Sequence, residues 1–281
     1  TLEKDKAERA SKARADFLST VSHELRTPLN AINGITYLLL QEKPKVSQLN
    51  YLKSLEFSGN YLLNFINDIL EINRLESDKV VLEKINFNLP ELTENIVTSF
   101  KEFIHENNIK CHLNIDKSIN YNLKGDPTKL SQILINLLNN AIKFSKNGDV
   151  WCNIIKKSET TNNVTLYFEI KDNGIGIPKD KQDAIFDSFS QGSVEINRTY
   201  GGTGLGLSIV KKILELMGSE IHLTSESGKG SAFSFELEFE KGVANKTKEV
   251  ETTPDLTLLN KKKVLLVEDN KINQMITQKM L

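Results

Sequence analysis

From residue 1 to about residue 42 the chain has no glycine or proline except Pro28 and Gly34, and its dense Lys, Glu, Arg and Ala favour one long helix. Lys43-Pro44-Lys45 breaks it. A second helix is predicted from about Val46 to Glu76, where Leu55, Ser58, Leu62, Phe65, Ile69 and Ile72 recur at spacings of three and four. Leu52, Leu63, Ile66 and Leu70 widen that face. At 1.5 Å per residue the second helix is about 45 Å long. A hairpin with so broad an apolar face cannot bury it alone, so two copies are expected to pair into a four-helix bundle. The alternative is a monomer whose hairpin packs on the rest of its own chain.

Beyond Ser77 the period changes. Short β-like runs fall at Val80 to Leu82, Ile109 to Ile115, Val150 to Lys156, Val164 to Lys171, Ile221 to Ser225 and Ala232 to Phe239. Helical patterns intervene at Pro90 to Asn107, Pro127 to Phe144, Lys179 to Phe189 and Gly204 to Met217. This order indicates an α/β sandwich with helices on one face of the sheet. Asp126-Pro127 is a strong helix start, because Asp can cap free N–H groups and Pro fits the first turn. Lys241 to Asn260 is polar, rich in Thr and Lys, and reads as a linker. The expected organisation is thus a helical hairpin over 1–76, an α/β domain over 77–240, a linker over 241–262 and a further module beginning at 263.

Composition narrows the class of function. Of 281 residues 39% are apolar and 26% charged, with a formal net charge of −1, so the chain is globular and carries no basic arm for nucleic acid or an anionic membrane. No apolar run approaches the ~20 residues that span a bilayer, and no signal peptide opens the sequence. A cytoplasmic segment is expected, with any membrane anchor of a longer parent in a preceding sensor region. Cys111 and Cys152 lack motif spacing and are expected to be reduced.

The chemistry concentrates first in Phe17 to Asn30, FLSTVSHELRTPLN. Leu18, Val21 and Leu25 share one helical stripe and His23 lies away from it, so its imidazole should face solvent. Glu24 is adjacent, and Thr27 lies four residues on, near the same face. Pro28 has no N–H, so the helix should bend just past the histidine. A helical zinc pair would need a second His where Thr27 stands, which excludes that site. His105, His112 and His222 have no such setting and read as surface residues.

Four further segments lie between residues 132 and 231. Asn136 and Asn140 are four apart on one helical face with Lys143 three later, an arrangement that could hold a metal and phosphates. Asp172-Asn173-Gly174-Ile175-Gly176 sets a carboxylate beside bare backbone, where a flat ligand such as adenine can offer its amino group. Gly201-Gly202-Thr203-Gly204-Leu205-Gly206-Leu207 precedes a helix whose N-terminal N–H groups attract phosphate. Ser227 to Ser231 is a tight turn between strands. Each alone has an ordinary structural explanation. The glycine run follows Asn197-Arg198-Thr199-Tyr200 and not a strand, so it is no dinucleotide fingerprint, and no G-x-x-x-x-G-K-[ST] loop occurs.

SHELRTPL resembles the phosphoacceptor box of sensor histidine kinases of two-component systems, and the later segments in order resemble the N, G1, F, G2 and G3 boxes of GHKL ATPases. The resemblance runs from about Ala7 to Phe239. It implies that His23 takes the γ-phosphoryl group of ATP, that Glu24 orients the imidazole and accepts its proton, and that Thr27 serves a phosphatase reaction. It also implies that Asn140 binds Mg²⁺ with Asn136 in support, Lys143 touches phosphate, Asp172 receives the adenine amino group, and Gly174 and Gly176 make room for the base. Phe186 and Phe189 match the F box, and Ser190 to Gly202 would form an ATP lid from which Arg198 steadies the γ-phosphate. Gly202, Thr203, Gly204, Leu205 and Gly206 would line the phosphates. A homodimer is implied, with a receiver domain of a response regulator as phosphoryl acceptor.

Lys263 to Leu281 resembles the first strand and helix of such a receiver, with Glu268-Asp269 as the acidic pair that holds Mg²⁺. This implies a hybrid kinase as parent. Without the later strands the tail should be mobile, or ordered only by borrowing a sheet edge. Two other readings are a scaffold that signals without catalysis and a GHKL ATPase of the chaperone or mismatch-repair type. Presence of His23, Asn140 and Asp172 opposes the first, and the helical hairpin opposes the second.

Overall fold

The computed structural model describes residues 2–76, 80–188, 203–242, 265–268 and 271–280, with side chains described from Thr20 in the first helix and at 273–278 in the last. It forms two compact units, one of residues 1–74 with 248–281 and one of residues 75–247.

In the first unit α1 (Leu2–Gln41) and α2 (Val46–Glu76) run antiparallel. Arg26 Nη2 donates to Asn67 Oδ1 at 3.0 Å and Asn33 Nδ2 to Asn60 Oδ1 at 2.9 Å, which fixes the register. α1 continues uninterrupted through Pro28. Ser22, Leu29 and Thr36, seven apart, are buried. Gly59 is required opposite them, since a Cβ there would run into the Asn33 amide oxygen. The apolar stripe expected to be internal divides in two. Ile66 is buried, whereas Leu25, Ile32, Ile35 and Leu39 of α1 and Leu55 and Leu62 of α2 are exposed. The last helix, here α7 (Lys271–Met280), lies on α1 with Ile276 over Gly34. This corrects the expectation of a mobile or edge-borrowing tail: a helix docks where a bare Cα leaves room. Among the described residues 265–268 no strand forms, and Leu265 and Val267 are exposed.

The second unit is a seven-stranded sheet with helices on one face. Its elements are β1 (Ile85–Phe87), α3 (Leu89–Ser99), α4 (Lys101–Glu106), β2 (Lys110–Ile115), β3 (Leu123–Gly125) and α5 (Pro127–Phe144), then β4 (Asp149–Glu159), β5 (Asn163–Asp172), α6 (Gly206–Leu216), β6 (His222–Glu226) and β7 (Gly230–Lys241). The order is β1-β3-β7-β5-β4-β2, with β6 also on β7 and only the β2–β4 pair parallel. Strict alternation turns Val150, Cys152 and Ile154 of β4, Val164, Leu166, Phe168 and Ile170 of β5, and Phe233, Phe235, Leu237 and Phe239 of β7 inward. They meet Leu130, Ile133, Leu134, Leu137, Leu138 and Ile142 of α5 and Ile209, Val210, Ile213 and Leu214 of α6, most of them fully buried. Asp126 caps α5 by accepting from Lys129 N at 2.9 Å, as its sequence predicts.

Three expectations fail locally. Val80 to Leu82 is not a strand; β1 forms three residues later, where it can pair with β3. The helix expected over Pro90 to Asn107 breaks at Phe100, and of the helix expected over Lys179 to Phe189 the described residues, to 188, hold two short 3₁₀ turns. Among the described residues no helix is long and apolar enough to cross a membrane.

Candidate functional site

His23, Glu24 and Thr27 stand exposed on α1. The Thr27 hydroxyl donates to the His23 carbonyl oxygen at 3.3 Å, so the two residues are one helical turn apart on a common face. The apolar neighbours Val21 and Leu25 lie on another face, and Leu25 is itself exposed.

The second candidate site lies at the meeting of α5, the end of β5, the β6–β7 turn and the start of α6. Asn136 and Asn140 are half-buried on α5. A Cβ at Gly206 would come within 3.0 Å of Asn136 Oδ1, so the first residue of α6 borders the α5 amides. Gly204 has φ +71, and Thr203 Oγ1 accepts from Leu205 N at 3.2 Å. α6 then opens at Leu205, which makes no side-chain cap hydrogen bond. Lys143 holds its ammonium 4.8 Å from the Phe144 ring centroid, and burial pushes its pKa down.

Asp172 is 5% exposed. Burial pushes its carboxyl above the ordinary carboxylate range, against hydrogen bonds from Gly174 N at 2.8 Å and Ser231 N that favour the charged form. The glycines beside it serve a purpose the sequence did not suggest. A Cβ at Gly174 would run into the Phe144 carbonyl, one at Gly176, where φ is +66, into the Glu226 carbonyl, and one at Gly230 into the Asp172 carbonyl. They let three backbone segments approach one another closely beside Asp172. Ile175 N donates to Phe144 O at 3.3 Å and Gly228 N to Ile175 O at 2.7 Å.

Three supporting residues escaped the sequence reading. Ser225 Oγ accepts from Ile177 N at 2.8 Å, donates to Gly230 O at 3.0 Å and lies 2.9 Å from Ser231 Oγ, tying the glycine loop to the turn. Gln182 Nε2 donates to both Ile177 O and Ser225 O at 2.9 Å. Ser145 closes α5 and is buried beside Asp172. The available signal was weak: small hydroxyl residues at inward or helix-ending positions. Phe186 packs edge-on against Phe233. Phe189, Arg198 and Gly202, with the rest of the expected lid, lie outside the described residues, as does Asp269.

Residues 13–78 match the His Kinase A (phospho-acceptor) domain, and residues 125–241 match the histidine kinase-, DNA gyrase B- and HSP90-like ATPase. The chain belongs to the sensor histidine kinases. It is 39% identical over 236 residues to the signal transduction histidine-protein kinase BarA of Escherichia coli K12, covering 84% of this chain and 26% of BarA. It is 35% identical over 277 residues to the autoinducer 2 sensor kinase/phosphatase LuxQ of Vibrio vulnificus, covering 98% of this chain and 32% of LuxQ. The crystal structure of full-length ShkA in complex with AMPPNP superposes with a TM-score of 0.66 at 30% identity, covering 82% of this kinase chain and 47% of ShkA. The chain therefore spans about a quarter to a third of these two curated relatives.

Proposed function

We propose that this chain uses Mg-ATP to phosphorylate its own His23 and passes the phosphoryl group to an aspartate of a receiver domain. The observation that carries the reading is the pairing, in one chain, of an exposed His-Glu-x-x-Thr face on α1 with a buried carboxylate and an uncapped helix start in a second unit. An imidazole nitrogen of His23 attacks the γ-phosphorus, the bond to the β,γ-bridging oxygen breaks, ADP leaves, and Glu24 accepts the imidazole proton. Asp172 accepts from the adenine amino group. Asn140, with Asn136 behind it, offers amide oxygens to Mg²⁺; neutral amides combined with phosphate oxygens suit this ion better than an all-protein cage. The ion supplies neutralisation of the charge that develops on the triphosphate.

The domain organisation follows: 1–76 for dimerisation and phosphotransfer, 77–240 for ATP binding, 241–262 as linker, and from 263 the opening of a receiver. The exposed stripes of α1 and α2 support a homodimer. Thr27, within one turn of His23, supports a phosphatase activity toward the receiver, the pair of activities that the name of LuxQ carries. Incubation with Mg-ATP followed by mass-spectrometric mapping tests the proposal. Acid-labile phosphate on His23 is expected; its absence there, or label on another residue, overturns it.

A further inference from the structure

Helix α7 lies on a face of α1 distinct from both the α2 seam and the exposed apolar stripe. At 100° per residue His23 and Thr27 each fall within about 20° of Gly34 on the α1 surface, with Ala31 and Leu38 beside it. Arg26 and Asn33, which bond to α2, lie roughly 80–100° round from Gly34. Leu25, Ile32 and Leu39 of the exposed stripe lie roughly 140–180° away. Ala31 is nonetheless 6% exposed and Leu38 half-buried. The element on that face is α7: Ile276 sits over the bare Cα of Gly34, while Met275 beside it is 44% exposed. Any side chain at 34 would collide with Ile276, so glycine sets how closely the two helices approach. Within the tail Thr277 Oγ1 donates to Asn273 O at 2.9 Å and Asn273 Nδ2 to Glu268 Oε1 at 3.3 Å, tying α7 to the residues before it.

We propose that Gly34, with Ala31 and Leu38, is a socket for the same chain's α7, and that in the dimer each tail stays on its own subunit, seating the module that begins at 263 on the face of that subunit's His23. This rests on the dimer and the module organisation proposed above. The stripe that pairs two copies lies opposite the socket, so a second copy can bind with the socket filled. The two sockets of a dimer then point away from each other, and a tail would have to round the bundle to reach its partner's. Tethering also holds a tail near its own α1 at an effective concentration of about millimolar, well above that of micromolar free chains. Gly34 stands eleven residues beyond His23, about 16 Å along the axis, which leaves the imbibing face of the histidine itself uncovered by α7.

Gly34→Cys with Ile276→Cys tests this in the whole chain. A Cβ at 34 lies 3.1 Å from Ile276 Cγ1 and 3.5 Å from Cγ2, which puts the two Cβ atoms in the range of about 3.5–4.5 Å that a disulfide spans. Mild oxidation should give a cross-link that runs as a monomer on a non-reducing gel, with each single variant controlling for Cys111 and Cys152. A cross-linked dimer, or no cross-link, overturns the proposal. Sedimentation of the same preparation reports the dimer separately: a monomer there overturns the dimer reading and leaves the docking result standing. Gly34→Leu puts a strong helix former into α1 and fills the socket. Amide exchange across 271–280 should then speed by roughly tenfold or more with α2 unchanged, and adding Ile276→Ala should restore part of the protection. Equal protection of 271–280 in the native protein and in Gly34→Leu overturns the socket.

Discussion

The two units differ in what links their packed elements. In the sheet unit alternation sends Val, Ile, Leu and Phe inward against two helices, and the stacked Phe168 and Phe235 rings, 4.9 Å apart, close a core with little polar content. In the hairpin the seam between α1 and α2 carries Arg26, Asn33, Asn60 and Asn67 with buried Ser22 and Thr36 along its side, while Leu25, Ile32, Leu39, Leu55 and Leu62 face out. One unit is a finished fold. The other is a polar-seamed half whose apolar surface waits for a second copy, and it carries the exposed histidine.

The largest effect should come from separating the two units' roles. His23→Gln is expected to abolish incorporation of phosphate while leaving nucleotide affinity within twofold, because His23 and Asp172 belong to different units. Radiolabel transfer and nucleotide titration on the same preparation check this; retained label, or a parallel loss of ATP binding, would break the division.

Next in size is the contrast in packing. Ile32→Glu with Leu62→Glu should convert the dimer to monomer, seen by sedimentation, without changing the unfolding temperature of the sheet unit. Leu138→Ala, at a fully buried α5 position, should do the reverse: oligomeric state kept, sheet-unit stability lowered by about 2–5 kcal/mol. If the charged pair left the dimer intact, the exposed stripes would have another purpose.

Asp172→Asn sharpens the comparison inside the sheet unit. Loss of a hydrogen bond to a charged acceptor should weaken ATP binding by roughly 10²-fold. The same change should raise the unfolding temperature without ligand at neutral pH. Burial raises the folded-state pKa above the unfolded one, so the ionised carboxylate opposes folding at every pH above that raised value, and the penalty vanishes below the unfolded pKa. In the native protein ATP affinity should fall as pH drops through the raised value. Calorimetric melts across pH, with nucleotide titrations beside them, measure both effects; destabilisation by Asp172→Asn at neutral pH counts against the desolvation argument.

Much of this was legible in the residues, and what was not has identifiable causes. Helix α5 could be bounded at both ends because Asp126-Pro127 supplies a start and the apolar period stops at Phe144. The long strands β4, β5 and β7 announced themselves by alternation. β1 and β3, three residues each, did not, because pairing with distant neighbours and no local pattern makes them strands. On α2 the apolar face was visible, but its partition into inward Ile66 and outward Leu55 and Leu62 depends on which helix lies opposite. The motif residues were named from the sequence, whereas Ser145, Ser225 and Gln182 were not: single hydroxyls and amides gain meaning only when folding brings them to a backbone group or a carboxylate.

The smallest expected effect lies in the polar seam. Asn33 donates to Asn60, but its own Oδ1 is buried without a hydrogen-bond partner, so the amide cancels part of what it contributes. Truncation by Asn33→Ala should therefore change hairpin stability by only about 1 kcal/mol or less. Replacing Asn33 and Asn60 together by leucine is a different experiment. A half-buried amide and an exposed one give way to apolar contact, which should raise the melting temperature, while the feature that matches α1 to α2 in one register disappears. Cysteines introduced in facing positions of α1 and α2 then report the outcome: one cross-linked pairing in the native seam, several in the leucine variant. A single pairing in both would show that register is set by the apolar positions and by Gly59, and that the amides are incidental.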